Sequence, residues 1–231
     1  MLETFVKEEP LRQNFLPFSL PTIGEEEIAE VADSLRSGWI TTGPKTKRFE
    51  EQFREYVGAK HAIAVNSCTA GLHIALTALG VGPGDEVIVP TLTFCSTANV
   101  VIHLGARPML VDVDDDFNVT PEAIQLAITP KTKAIMPVHY GGQPCDLEAI
   151  YAIAARHNLP VIEDAAHAVG ATYHGHKIGS DAVQRSTCNG VFVLCYQKHD
   201  HWRRGDDHHC RRRTGRAYAP ARPYNTDRKR C

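Results

Sequence analysis

The sequence predicts an α/β protein, a mainly parallel sheet with helices on both faces, and three observations lead there. Short β-branched runs alternate with segments of helical period from residue 61 to residue 164. The strand candidates end on small hydroxyl residues or on an acid, and helical spacing resumes soon after them, as parallel crossovers require. The 231 residues can bury a sizeable core, and no linker or internal repeat divides residues 16–181.

Residues 16–21 read as an extended entry segment. Residues 24–38 place Ile28, Val31, Ala32 and Leu35 at helical spacing behind an acidic first turn, so an amphipathic helix is expected. A Gly/Pro-punctuated loop, Trp39-Ile40-Thr41-Thr42-Gly43-Pro44, leads to a helix over 47–57 with Phe49, Phe53 and Val57 on one face. Strands are then expected over 61–66, 86–89, 107–113, 133–138 and 160–164. Helices are expected between and beside them, over 69–79, 96–104, 121–128 and 147–157. After Asp181 the pattern stops, although 191–196 has the composition of one more strand.

The net charge of −2 conceals two compositions. From His199 to Cys231 nine Arg and one Lys face four Asp, whereas no Glu follows Glu163 and Leu194 is the only Leu after Leu159. The stretch 191–231 therefore reads as a basic tail that cannot bury a core, and disorder is expected there. Seven cysteines without C-x-x-C pairs suggest reduced thiols, and no stretch has the character of a signal peptide or a bilayer span. A cytoplasmic protein with no membrane partner is expected. His199, His201, His208, His209 and Cys210 match no zinc spacing, so neither a metal nor nucleic acid is expected as partner of the tail.

Three strand ends carry candidate chemistry. Asp164 closes one strand, with His167 three residues along the same turn; in open α/β sheets ligands sit outside the carboxyl ends of strands. A helix cap or solvated charge is the plainer reading of such an acid. Asn66-Ser67-Cys68-Thr69-Ala70-Gly71 joins a strand to a helix, where backbone N–H groups and the helix dipole can hold phosphate; simple capping by Ser67 or Thr69 is the alternative. Phe94 follows the next strand and can stack on a flat ring or fill the core. A phosphate cradle, an aromatic face and a carboxylate together suit a phosphorylated planar cofactor with a ring nitrogen.

Residues from about 15 to 181 resemble the large domain of the DegT/StrS family of pyridoxal-phosphate sugar aminotransferases. The likeness rests on five ordered blocks. They are Ser37-Gly38-Trp39-Ile40-Thr41-Thr42-Gly43-Pro44, Asn66-Ser67-Cys68-Thr69-Ala70-Gly71-Leu72-His73 and Gly84-Asp85-Glu86-Val87-Ile88-Val89-Pro90, followed by Pro137-Val138-His139-Tyr140-Gly141-Gly142-Gln143-Pro144 and Glu163-Asp164-Ala165-Ala166-His167-Ala168-Val169-Gly170. The resemblance implies an incomplete large domain of the fold type I transferases, with residues 1–190 as the cofactor-binding part. It implies pyridoxal 5'-phosphate, a keto sugar nucleotide as acceptor, glutamate/2-oxoglutarate as donor pair, and a homodimer in the intact family. The UDP-4-amino-4-deoxy-arabinose type, serving lipopolysaccharide, looks nearest. By the same resemblance, Asp164 pairs with the pyridine nitrogen, His167 bonds the phenolic oxygen, Phe94 stacks on the ring, and Cys68 and Thr69 hold the phosphate.

The family's next segment, Ser-Phe-Tyr-Ala-Thr-Lys and a Gly-rich turn, is replaced here by Phe192-Val193-Leu194-Cys195-Tyr196-Gln197-Lys198. Codons allowed for 196–202 read, one base out of phase, as Thr-Lys-Asn-Met-Thr-Thr, and the shifted frame continues into the family pattern. A reading-frame break between 181 and 192 is therefore expected, leaving the chain truncated and Lys198 in the linear place of the catalytic lysine. A dehydratase of the same family, which carries His for that Lys, and a non-catalytic remnant are the alternative readings.

Overall fold

The computed structural model describes residues 22–183 and 191–193. The entry segment 16–21, Lys198 and all of the basic tail beyond 193 lie outside the described residues. Six α-helices, seven strands and a short 3-10 turn (Tyr140–Gly142) are described: α1 (Glu25–Arg36), α2 (Pro44–Val57), α3 (Cys68–Ala78), β1 (Glu86–Pro90), α4 (Ser96–His103), β2 (Arg107–Val111), α5 (Pro121–Ala127), β3 (Thr132–Ile135), α6 (Leu147–His157), β4 (Ile162–Asp164), β5 (Thr172–Tyr173), β6 (His176–Lys177) and β7 (Val191–Val193).

The expected parallel sheet forms. β1 pairs in parallel with β2 on one side and β3 on the other, and β4 pairs in parallel with β7. Parallel bridges Ile135↔Val161 and Val138↔Asp164 join the two groups, giving the order β2-β1-β3-β4-β7. Every residue of β1 is buried, as a strand covered on both faces must be.

The two-residue period of the strands divides the core. Val87, Val89, Ala134, Met136 and Ile162 point to a cluster that includes Leu72, Leu76, Val100 and Val101 of α3 and α4. Their neighbours Ile88, Ile135 and Val161 point the other way, into a cluster with Phe53 of α2, Ile124 of α5 and Ile150 of α6. Each helix is placed by local chemistry. Asp146 caps α6 by accepting the Ala149 N–H at 3.2 Å, Glu148 and Arg156 suit its two dipole ends, and Asn158 stops it at φ 53°. Thr120 caps α5 ahead of Pro121 in the same way.

One expectation is corrected, and two features go beyond what was expected. The strand expected over 61–66 does not form: the segment pairs with no described strand, and the Ala64 N–H instead donates to the Glu50 carboxylate at 2.8 Å. The amphipathic α1 forms as expected, but Ile28, Val31 and Leu35 stay more than half exposed and no residue of α1 is buried. The antiparallel β5–β6 hairpin was not foreseen; its turn puts His174 and Gly175 at φ 50° and 80°, and His-Gly is a weaker turn signal than Asn-Gly. The last strand, β7, begins at Val191 as expected.

The burial pattern sets a contrast that chemical denaturation can check. Ile162→Ala empties a fully buried site between α3 and the sheet and should destabilise the chain by about 2–5 kcal/mol. Ile28→Ser, on the exposed face of α1, should change stability by less than about 0.5 kcal/mol.

Candidate active site

Because all five strands run in one direction, their carboxyl ends share one edge, and the N-termini of α3 and α4 lie against it. The period that sends Ile162 toward α3 and α4 sends Asp164 the same way and Glu163 the opposite way, toward α6. The contacts follow this division. Asp164, 4% exposed, accepts from Thr97 Oγ1 of α4 at 2.9 Å through Oδ2. Its Oδ1 accepts the Ala166 N–H at 3.2 Å and the Cys68 thiol of α3 at 3.6 Å. The fully buried Thr97 also shares a 2.7 Å hydrogen bond with the Thr93 hydroxyl.

At the start of α3 the capping reading holds for Ser67. Ser67 is the cap, accepting the Ala70 N–H at 3.1 Å on its side chain and the Gly71 N–H at 3.0 Å on its carbonyl. Thr69 is the second helical residue, and no described residue accepts its backbone N–H. Phe94 is 67% exposed at the same edge, which overturns the reading of it as a core aromatic.

His167 is exposed on the turn after β4. Its Nδ1 accepts the Gly141 N–H at 3.3 Å, and its ring meets that of Tyr140 edge-on at 5.8 Å. Gly141 and Gly142 have φ of 60° and 86°, and a Cβ on Gly142 would stand 3.0 Å from the His167 carbonyl. Two glycines are thus what lets the 139–145 loop close over this turn.

Behind the edge lies a second, wholly buried group. Glu163 accepts from the Tyr151 hydroxyl on Oε1 and pairs through Oε2 with His139 Nε2 at 2.9 Å. Burial pushes the His139 pKa down, while Cys145 and Glu163 push it up, to about 10 on balance. The backbone opposes the second proton that this balance would add. The Cys145 N–H donates to His139 Nδ1 at 3.2 Å, so that nitrogen presents its lone pair. We therefore assign the neutral ring, with its proton on Nε2 held by Glu163.

The sequence profile of the DegT/DnrJ/EryC1/StrS aminotransferase family matches residues 21–187. The chain belongs to this family. It is 58% identical over 170 residues to the spore coat polysaccharide biosynthesis protein SpsC of Bacillus subtilis (strain 168), a match covering 73% of this chain and 44% of SpsC. Spr1654 of Streptococcus pneumoniae, assigned as a sugar aminotransferase, superposes in its PLP form with a TM-score of 0.73 at 38% identity, over 79% of this chain and 49% of that one. An aminotransferase from Psychrobacter cryohalolentis gives a TM-score of 0.71 at 40% identity, over 79% and 45%. The chain spans about half the length of these relatives. Its sheet is that of the fold type I aminotransferases, as the five sequence blocks led us to expect.

Of the residues singled out in the sequence, Asp164 and Cys68 come into direct contact, His167 lies on the turn after Asp164, and Thr69 and Phe94 lie on the same edge. Lys198 lies outside the described residues. Sequence reasoning missed Thr97, Thr93, His139 and Glu163 as individual contributors. Thr97 reads as one more hydroxyl in a helix start, and only the tertiary fold that brings the start of α4 to the end of β4 gives it Asp164 as a partner. A Thr97→Val variant keeps the shape but leaves the buried Asp164 oxygen without its donor, so a loss of about 1–3 kcal/mol is expected in thermal or urea unfolding. Thr97→Ser, which keeps the hydroxyl, should lose less than Thr97→Val.

Proposed function

We propose that the chain carries the pyridoxal-phosphate-binding part of an aminotransferase that moves an amino group from glutamate to a keto sugar nucleotide. The observation that carries the reading is the buried Asp164 carboxylate at the edge of the sheet. Three protein donors occupy it, and a carboxylate offers about four acceptor positions, so it has capacity for one ring N–H. The start of α3, with the Thr69 N–H and hydroxyl, suits a phosphate, and the exposed Phe94 suits the face of a ring. The residues present therefore fit the group that family membership implies.

When bound, the cofactor supplies a protonated pyridine ring that takes up the electron pair of a carbon losing its proton. Asp164 holds the proton on the ring nitrogen, and Thr97 with the Ala166 N–H fixes the plane of that carboxylate. His167 donates to the phenolic oxygen from Nε2, because its Nδ1 is already an acceptor. Cys68 and Thr69 anchor the phosphate through the backbone and hydroxyl at the start of α3, and Phe94 covers the ring. Lys198 is assigned the transfer of the substrate proton. SpsC's part in spore coat polysaccharide supports a polysaccharide sugar as acceptor. The arabinose-type acceptor, and a homodimer for the intact protein, rest on the motifs alone.

The family match ends at residue 187, inside the 181–192 window in which a frame break is expected. This supports reading the segment around Lys198 as displaced from its proper surroundings. The 231-residue chain should then bind pyridoxal phosphate weakly and turn over no keto sugar nucleotide. Restoring the frame after Phe192 through the full length should bring back both binding and turnover. In that restored protein Asp164→Asn should lower cofactor affinity about ten- to a hundredfold, the weight of one hydrogen bond to a charged group. Equilibrium dialysis with pyridoxal phosphate reads this directly, and undiminished binding by the variant would remove Asp164 from the site.

A further inference from the structure

The loop 139–145 is tied down at more points than its role as a connection requires. The His139 N–H donates to the Asp164 carbonyl at 3.1 Å, and the Gly142 N–H returns to the His139 carbonyl at 3.3 Å. Asn118, 4% exposed, accepts the Tyr140 N–H at 3.2 Å and donates to the carbonyls of Gln143 and Pro144 at 3.1 and 3.4 Å. The His139 ring is held at both nitrogens, by the Cys145 N–H and by Glu163, which Tyr151 holds in turn. The Gly141 N–H of this loop ends on His167 Nδ1.

We propose that Asn118 and the buried Tyr151–Glu163–His139 relay are positioning residues that set the tautomer of His167. A backbone N–H can only donate, so wherever it meets Nδ1 that nitrogen must be unprotonated and the proton must reside on Nε2. By clamping the loop, the relay keeps the Gly141 N–H at that nitrogen and makes His167 a donor on the side away from the loop. The value of that donor rests on the reading of His167 given above; the tautomer itself does not.

The relay has a chemical requirement that separates its members. Glu163 must accept from His139 Nε2, whereas its contact with Tyr151 can run in either direction, because a phenol oxygen also accepts. Glu163→Gln meets both demands, its carbonyl accepting from His139 and its amide donating to Tyr151. Glu163→Leu, similar in bulk, meets neither.

The test is 15N NMR of the histidine-labelled 231-residue chain without cofactor, with the pH raised until the 15N shifts of the His167 ring stop changing. His167 should be present mainly as the Nε2-protonated tautomer. Asn118→Ala and Glu163→Leu should each lower the ratio of the two tautomers about fivefold, the equilibrium weight of one ordinary hydrogen bond, and Glu163→Gln should restore it. The near-ultraviolet circular dichroism of each variant separates loss of fold from loss of tautomer. If Glu163→Leu does not fold, Asn118→Ala carries the test alone. A wild-type His167 protonated on Nδ1, or an unchanged ratio in a folded Asn118→Ala variant, overturns the proposal. Pyridoxal phosphate dialysis of the frame-restored protein keeps the two ideas apart: a set tautomer in the 231-residue chain without cofactor binding by the restored protein counts against the proposed function and leaves this one standing.

Discussion

Adjacent residues of a strand face opposite sides of the sheet, and at the end of β4 that rule separates two acids. Asp164 is delivered to α3 and α4, where Cys68, Thr97 and a backbone N–H receive it. Glu163 is delivered to α6 and the 139–145 loop, where Tyr151 and His139 receive it. Neither could be buried without its partners, because an unpaired buried carboxylate is among the most unfavourable groups a core can hold. The arrangement of the edge therefore depends on β4 keeping its register against the 137–139 segment. Two backbone bonds hold that register, Asp164 N–H to the Pro137 carbonyl at 2.9 Å and His139 N–H to the Asp164 carbonyl at 3.1 Å. A slip of one residue would exchange the two acids and strand both.

The two sides do different work at the same edge. On the α3/α4 side the groups are short hydroxyls and a thiol, and they act on Asp164 itself. On the α6 side the groups act on backbone, and through the 139–145 loop they reach His167. Family membership places this edge in a fold whose solved relatives include aminotransferases from Streptococcus pneumoniae and Psychrobacter cryohalolentis.

Sequence legibility followed how local each cause is. The helix over 147–157 could be read to the residue, because Asp146, the helical spacing and Asn158 are all contained in one short segment. The placement of Asp164 at the end of a strand, with His167 on the turn after it, was legible because a strand that ends on an acid is itself a local pattern. The 61–66 segment was misread because alternation shows that a strand is possible, whereas forming one needs a partner that alternation does not supply. Thr97 and Glu163 were illegible for a similar reason. A threonine near a helix start and an acid beside an acid take their meaning from residues 67 and 12 positions away.

Helix α1 presents the opposite case from β4. It packs no buried side chain, and its ties to α2 are ionic: Lys45 lies 3.3 Å from Glu30 and 2.7 Å from Asp33, and Arg48 pairs with Glu30. All these groups are at least a third exposed to solvent, so the ions of the medium compete for them. The attachment of α1 is thus governed by ionic strength, while the sheet beneath it is governed by apolar burial. Raising salt loosens the first and leaves the second intact, so the amides of α1 open to hydrogen exchange well before those of β1, and as a separate unit.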